Sequence, residues 1–281
     1  MRSSRVVVLF TLVTILMASV SILLYIPSTT SYSPYNPYPD GLSGFMDRYD
    51  VSVCYSKCDL DKYDYVILLL DKPISNFSRY VEYVSGGGNL IILDSDGYSN
   101  DLLSKFGLDV EIYNVSILDE ISKYGDRFHV KAEVVYRNYS IGLYKPSYIE
   151  VNTLNVDVIA SSSIFSYLDL DGDGNYTIGE PIGSMPIAVK FSYRLGSITL
   201  ISDKNFICNR FIDKGINIEF LDESLSGNIL LDLSNTRYSG IDYVKLYLSS
   251  MSRRGFIDYL YALLLTILTV VGVVVSRGIK I

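Results

Sequence analysis

Residues 65–70 read Tyr-Val-Ile-Leu-Leu-Leu and residues 89–93 read Asn-Leu-Ile-Ile-Leu. Unbroken apolar runs of this length suit strands buried on both faces. Between them Phe77, Tyr80, Val81 and Val84 recur at helical spacing, which predicts a helix over 76–84 that ends at Gly86, Gly87 and Gly88. That glycine run leads from helix to strand, so it reads as a C-cap and turn; phosphate cradles lead from strand to helix. A strand over 51–55 follows a short helix over 42–49. A helix over 99–106 is capped by Ser99 or Asn100 and stopped by Gly107. This alternation predicts an α/β domain with an open, mostly parallel sheet and helices on both faces.

The rhythm breaks after residue 108. Strands are predicted over 108–114, 128–139 and 151–159, so residues 110–181 read largely as a β-rich insertion or an antiparallel extension. It resumes with strands over 187–193 and 197–202, helices over 205–211 and 216–225, and a strand over 229–233. One domain over 40–238 is large enough for a full core. Residues 28–39 read as an extended linker stiffened by Pro34, Pro37 and Pro39. An amphipathic helix over 241–251 opens a juxtamembrane stretch, 239–255.

Both ends of the chain are apolar. Residues 6–26 hold no charge, and residues 256–275 hold only Asp258. About 20 helical residues cross a bilayer core. The expectation is a cell-membrane protein with two spans (1–27 and 256–275), a tail at 276–281, and the domain on one side. Arg2, Arg5, Arg277 and Lys280 place both termini in the cytoplasm and the domain outside it. Arg253 and Arg254 run counter to this. A cleavable signal peptide is the alternative for the first segment, although its apolar run exceeds the usual ~7–15 residues.

Charge narrows the partners. The chain has 24 basic and 31 acidic residues. Setting aside the six basic residues of the ends and Asp258 leaves about 18 basic against about 30 acidic. A nucleic-acid partner, which demands a basic face, is excluded. Of three cysteines, Cys54 and Cys58 could bridge across a turn, leaving Cys208 over; two unpaired thiols are the other reading. Asn76, Asn114, Asn138 and Asn175 head glycosylation sequons, which suit an exported domain and also arise by chance.

The densest chemistry lies at Asp169-Leu-Asp171-Gly-Asp173-Gly174-Asn175-Tyr-Thr177-Ile-Gly-Glu180. Acidic groups occupy positions 1, 3 and 5 of a twelve-residue loop, glycine position 6 and glutamate position 12, the pattern of a calcium loop. Asn175 would offer its carbonyl and Thr177 a direct or water-mediated contact. The apolar residues at positions 8 and 10 are expected to tie the loop to the core. Pro181 bars an ordinary exit helix, so the calcium reads as structural rather than as a switch. The bland alternative is an acidic turn. The loop with Asp94, Ser95, Asp96 and Ser99 follows a predicted strand, where open α/β sheets bind ligands, and is a weaker candidate.

Four segments carry a resemblance: Tyr35-Asn-Pro-Tyr-Pro-Asp-Gly-Leu-Ser-Gly-Phe45, Val84-Ser-Gly-Gly-Gly-Asn-Leu-Ile-Ile-Leu-Asp94, Asn100-Asp-Leu-Leu-Ser-Lys-Phe-Gly107 and Tyr193-Arg-Leu-Gly-Ser-Ile-Thr-Leu-Ile-Ser-Asp203. Over about residues 35–235 the chain resembles membrane-anchored archaeal relatives of class I glutamine amidotransferase-like domains. It is similar in layout to the auxiliary extracytoplasmic subunits of gliding-type ABC transporters. The resemblance implies a flavodoxin-like sheet and a partner in a membrane complex. It does not imply amidotransferase activity: the turn after residue 94 holds no cysteine, and the turn after residue 202 holds no histidine. The only histidine, His129, falls in an alternating strand, expected to face solvent.

The resulting expectation is a non-catalytic, membrane-anchored binding or scaffold module with structural calcium. The alternative is a hydrolase or amidotransferase-like enzyme using Ser95, Ser99 or a cysteine.

Overall fold

The computed structural model describes residues 8, 11–12, 14–15, 18–19, 21–22, 25–135 and 137–253. The chain divides into two compact units, Thr29–Tyr238 and the pair Met1–Ser28 with Ser239–Ile281.

In the first unit, α1 (Ser43–Arg48), β1 (Val51–Cys54), β2 (Tyr65–Leu69), α2 (Ser78–Ser85), β3 (Asn89–Leu93) and α3 (Asn100–Lys105) fall where the apolar pattern places them. The sequence then runs through β4 (Val110–Asp119), β5 (His129–Val134), β6 (Ser140–Tyr144), β7 (Ser147–Val151), β8 (Asp157–Ser161) and β9 (Ser166–Asp169). It closes with β10 (Pro186–Tyr193), β11 (Gly196–Ile201), α4 (Asn209–Ile212), α5 (Ile218–Ser224) and β12 (Ile229–Asp232).

A mixed nine-stranded sheet runs β1-β12-β2-β3-β11-β10-β8-β5-β6. The first five strands are parallel and every later pairing is antiparallel. A second, three-stranded sheet runs β7-β4-β9.

This corrects the flavodoxin-like expectation. Taken in chain order, the parallel strands lie 1-5-2-3-4, whereas the flavodoxin order is 2-1-3-4-5. The 110–181 stretch is not a separate insertion but, in part, the antiparallel extension that is its other reading. β5, β6 and β8 extend the main sheet, while β4, β7 and β9 build the second one. The run 151–159, expected as one strand, is the end of β7 and the start of β8, which belong to different sheets. Its alternation continues through the connection, but Asn152 and Thr153 bond to the backbone of Asp109 and Leu154 is fully exposed. The short β6 and β9 carry too few apolar residues to announce themselves.

Alternation along β2 and β3 sorts the core. Val66, Leu68, Leu90 and Ile92 pack with Tyr80, Tyr83, Leu102 and Leu103 of α2 and α3 on one face. Ile67 and Ile91 point the other way and are buried too. The β11-to-β12 connection returns across the sheet against the direction of β2 to β3, so a right-handed crossover puts α4 and α5 on that second face.

Residues 29–41 do not hang free. Asn36 is fully buried and its side chain bonds Thr30, Tyr38 and Asp40. Asn209 holds the strap down: its Nδ2 donates to the carbonyls of Asn36 and Tyr38, and its Oδ1 accepts from Gly44 N at 2.8 Å. A Cβ on Gly41 would stand 1.9 Å from the Asn36 carbonyl oxygen, so only glycine fits the strap there.

In the other unit, α6 (Gly240–Arg253) is capped by Ser239, whose hydroxyl accepts from Asp242 N at 3.1 Å and donates to the Asp242 carboxylate at 2.7 Å. Lys245 donates to the Ile26 carbonyl. Among the described residues no helix is long and apolar enough to cross a membrane. This stands against the expected two-pass, cell-membrane placement and leaves the bilayer and transporter subunits, expected as partners, without support. Residues 256–275 lie outside the described residues, and 6–26 are described only in part.

Replacing Asn209 with Ala leaves Gly44 N–H without its acceptor and takes one donor each from the Asn36 and Tyr38 carbonyls, which keep Ser43 N and Gly41 N. A loss of about 1–3 kcal/mol is expected from the orphaned amide. Urea denaturation of Asn209→Ala will therefore show a markedly lower midpoint, with the slope unchanged.

Candidate functional site

Two places bring chemistry together: the carboxyl ends of the parallel strands, and the acidic loop after β9.

Four of the five parallel strands, all but β1, end on aspartates or lead to them. Asp71 follows Leu70, Asp94 follows β3, Asp203 follows β11 by one residue, and Asp232 closes β12. Each finds a different partner. Asp94 is fully buried and folds the next turn about itself, accepting from the amides of Asp96, Gly97 and Ser99 and from the Ser99 hydroxyl. Desolvation raises its pKa, and these hydrogen bonds pull the other way. Asp94 and Ser99, expected as ligand-binding residues, are therefore the internal frame of the loop. Ser95 accepts from Lys204 N at 3.0 Å through its hydroxyl and from the Ser147 hydroxyl at 2.6 Å through its carbonyl. Only Asp96 reaches outward, and it shares the Lys204 ammonium with Asp71 at 2.7 and 2.9 Å. Tyr32 of the strap feels this crowd: burial, followed by the nearby Cys208 and then Asp203, Asp71 and Asp96, lifts its phenol far above the ordinary value.

The crevice between β3 and β11 is the topological switch of the sheet, because β3 leads to α3 on one face and β11 to α4 on the other. Lys204, Asp71, Asp96 and Tyr32 occupy it. None of Asp71, Lys204 or Tyr32 was singled out from sequence. The available signal was an aspartate recurring after each apolar strand.

In the acidic loop, one carboxylate oxygen from each of Asp169, Asp171 and Asp173 lies within 4.8 Å of the others. Backbone amides hold them in place. Gly174 N donates to Asp169 at 3.2 Å, Asp173 N to Asp171 at 3.1 Å, and Asn175 N to Asp173 at 2.7 Å. Gly174 sits at φ +77°, a conformation that favours glycine. Thr177 Oγ1 donates to Asp171 at 3.2 Å. Arg127, from the β4–β5 loop, grips the Gly174 carbonyl and the Asn175 side chain at 3.0 and 2.7 Å.

Two expectations for the loop fail. Glu180 does not join the three aspartates; its two oxygens accept from Leu170 N and Thr177 N at 2.7 and 2.9 Å. Nor do positions 8 and 10 anchor the loop in the core. Ile178 is 95 % exposed, and Tyr176, though set edge-on against Tyr167, is 45 % exposed. The all-oxygen donor set and the glycine turn fit a hard cation; Glu180 as placed serves the backbone.

Cys54 and Cys58 form a disulfide. Cys208 is buried, which pushes its thiol well above the usual range. His129 is half-buried, with Nδ1 2.7 Å from Asp126 and its ring between Tyr144 and Phe211. Asn76, Asn114, Asn138 and Asn175 are all exposed.

No family model matches the chain, and no curated protein does. Among solved structures, the chain is similar to the mmIFT52 N-terminal domain at 12% identity, over 65% of this chain and 85% of that one, with a TM-score of 0.49. It is similar to a cold-adapted β-galactosidase from Rahnella sp. R3 at 17% identity, over 60% of this chain and 24% of that one, TM-score 0.36. A third is the exo-β-1,4-mannosidase Op5Man5 from an Opitutaceae bacterium, at 11% identity over 59% and 25%, TM-score 0.34. Likenesses this distant assign no activity. The resemblance to amidotransferase-like domains is corrected by the missing family match together with the strand order.

Burial raises the pKa of Asp203 to about 6, against hydrogen bonds from Tyr144 N, Asn205 N and the Asn205 side chain that pull it down. The folded state thus holds this proton more tightly than the unfolded chain does. Its contribution is full below the unfolded value of 3.8 and is lost as pH rises through about 6. Stability is expected to fall by on the order of 3 kcal/mol across that window. Thermal melts at stepped pH should show the slope, and Asp203→Asn should flatten it.

Proposed function

We propose that the chain is a non-catalytic binding module whose 169–180 loop takes a calcium ion as a stiffener. The observation that carries the reading is the convergence of Asp169, Asp171 and Asp173 within 4.8 Å, on amide bonds that place them before any ion arrives. Three carboxylates this close repel one another, and a divalent cation removes the repulsion. Calcium accepts six to eight oxygen ligands in flexible geometry, which suits a loop that also offers carbonyls and the Thr177 hydroxyl. Asp169, Asp171 and Asp173 would hold the ion, with Arg127 bracing the loop from outside.

The binding reading is favoured over the hydrolytic one by how the candidate nucleophiles are engaged. The Ser99 hydroxyl donates to a buried carboxylate, and the Ser95 hydroxyl receives a backbone amide. The Cys208 thiol is held protonated by burial.

A one-site calcium isotherm is expected, with a dissociation constant on the order of 10⁻⁴ M. Saturating calcium, at about 100 times that constant, should add about 2.7 kcal/mol. That corresponds to a rise of roughly 5–10 °C in melting temperature for a unit of this size. Asp171→Ala, which leaves the Glu180 amide bonds untouched, should abolish both effects. A melting temperature indifferent to calcium would reduce the loop to an acidic turn.

A further inference from the structure

We propose that the cavity beyond the ends of β1 and β12 binds a small ligand through a phosphate group. The cavity measures about 300 Å³ and is lined chiefly by Lys57, Asn76, Arg79, Tyr80, Ser234 and Asn235. It lies outside the carboxyl ends of parallel strands, the side on which open α/β sheets take ligands. Its size sits at the low end of ligand pockets, which admits a small molecule and no polymer.

Charge singles this cavity out. The chain as a whole is at −7, yet no aspartate or glutamate lines the cavity, while a lysine and an arginine do. The neighbouring cavity on the other side of Arg79 is the reverse, lined by Asp59, Asp61, Asp64 and Glu82. Asp232, the carboxylate bonded to Arg79, is fully buried and spent on both oxygens. Oδ2 accepts from Arg79 and from Tyr80 at 2.9 Å, and Oδ1 accepts from Ser234 N at 2.9 Å.

Arg79 is fixed from one end only. Its Nη2 donates to Asp232 at 2.5 Å, to Ser234 Oγ at 3.0 Å and to Tyr80, and its guanidinium lies 4.5 Å from the Tyr80 ring centroid. Nε and Nη1 make no hydrogen bond among the described residues. A guanidinium anchored through one nitrogen, with the rest of its fork unused, is preorganised for a second oxyanion. Lys57 stands at the rim with no ion pair among the described residues, on the five-residue loop that the Cys54–Cys58 disulfide closes. Two cations, one rigid and one tethered, together with serine hydroxyls and asparagine amides, are the donors a phosphate monoester needs. The acidity of the rest of the chain argues against nucleic acid as its source.

The test is calorimetric titration of the full chain with inorganic phosphate. Saturable one-site binding is expected, weakened about tenfold or more by Lys57→Ala and by Asn76→Asp, each with an unchanged melting temperature. Both residues are exposed and leave the Arg79–Asp232 pair intact, so misfolding does not confuse the result. Asp171→Ala, which alters only the acidic loop, should bind phosphate like the parent, separating this site from the calcium reading. Absence of saturable binding at about 10 mM phosphate, or equal binding by the parent and both cavity variants, would overturn the proposal.

Discussion

A row of aspartates at the carboxyl ends of parallel strands must be compensated, and much of the structure is the means of doing so. A buried carboxylate without partners costs several kcal/mol. Asp94 is answered by its own loop, whose turn it closes as α3 begins. Asp71 is answered by Lys204, just past β11 and two strands along the sheet. Asp232 is answered by Arg79 and Tyr80 of α2. Asp203 is answered by Asn205 and by Tyr144 N of β6. Each solution ties a different element to the same edge. The last one joins the antiparallel half of the sheet to the parallel half, so the two halves share an electrostatic seam as well as a hydrogen-bonded ladder.

The same seam explains where the sheet stops. β6 is an edge strand, and edge strands with free amides invite further pairing. Here Asn217 takes both Gly142 N–H and Gly142 C=O with one side-chain amide, at 2.7 and 2.9 Å. Asp203 takes the amide of Tyr144, two residues on. A side chain thus stands in for a tenth strand. Asn217 lies at φ +70°, a conformation asparagine tolerates better than most residues, and its Nδ2 also reaches the Phe206 carbonyl. The residue that begins α5 is therefore the one that ends the sheet.

What was legible from sequence follows from this. The parallel strands β2, β3 and β12 are buried on both faces, so their apolar runs are unbroken and their boundaries fall within a residue or two of expectation. Residues 110–181 read as strands but not as two sheets, because alternation records that a strand has one buried face and not which sheet it joins. At 151–159 the alternation even spans the break. Residues 28–39 read as an extended linker because prolines and polar residues are common to a linker and to a docked strap. What distinguishes it is Asn209, 168 residues beyond Gly41, and no local pattern carries that.

The acidic loop shows the limit of motif reading most clearly. Spacing alone located Asp169, Asp171, Asp173 and the Gly174 turn, because each position answers a local backbone demand. Glu180 stands at the position where a calcium loop wants its bidentate ligand, yet it is turned to Leu170 and Thr177 amides. Pro181, immediately after it, cannot extend a helix, and its carbonyl accepts from Leu168 N in β9. The chain is thereby pinned back onto β9 one residue past Glu180. An exit helix would let that carboxylate swing; a strand-like return holds it against the backbone. Hydrogen bonds thus draw the frame of the loop, and any ion it holds completes that frame and removes the repulsion among the three aspartates.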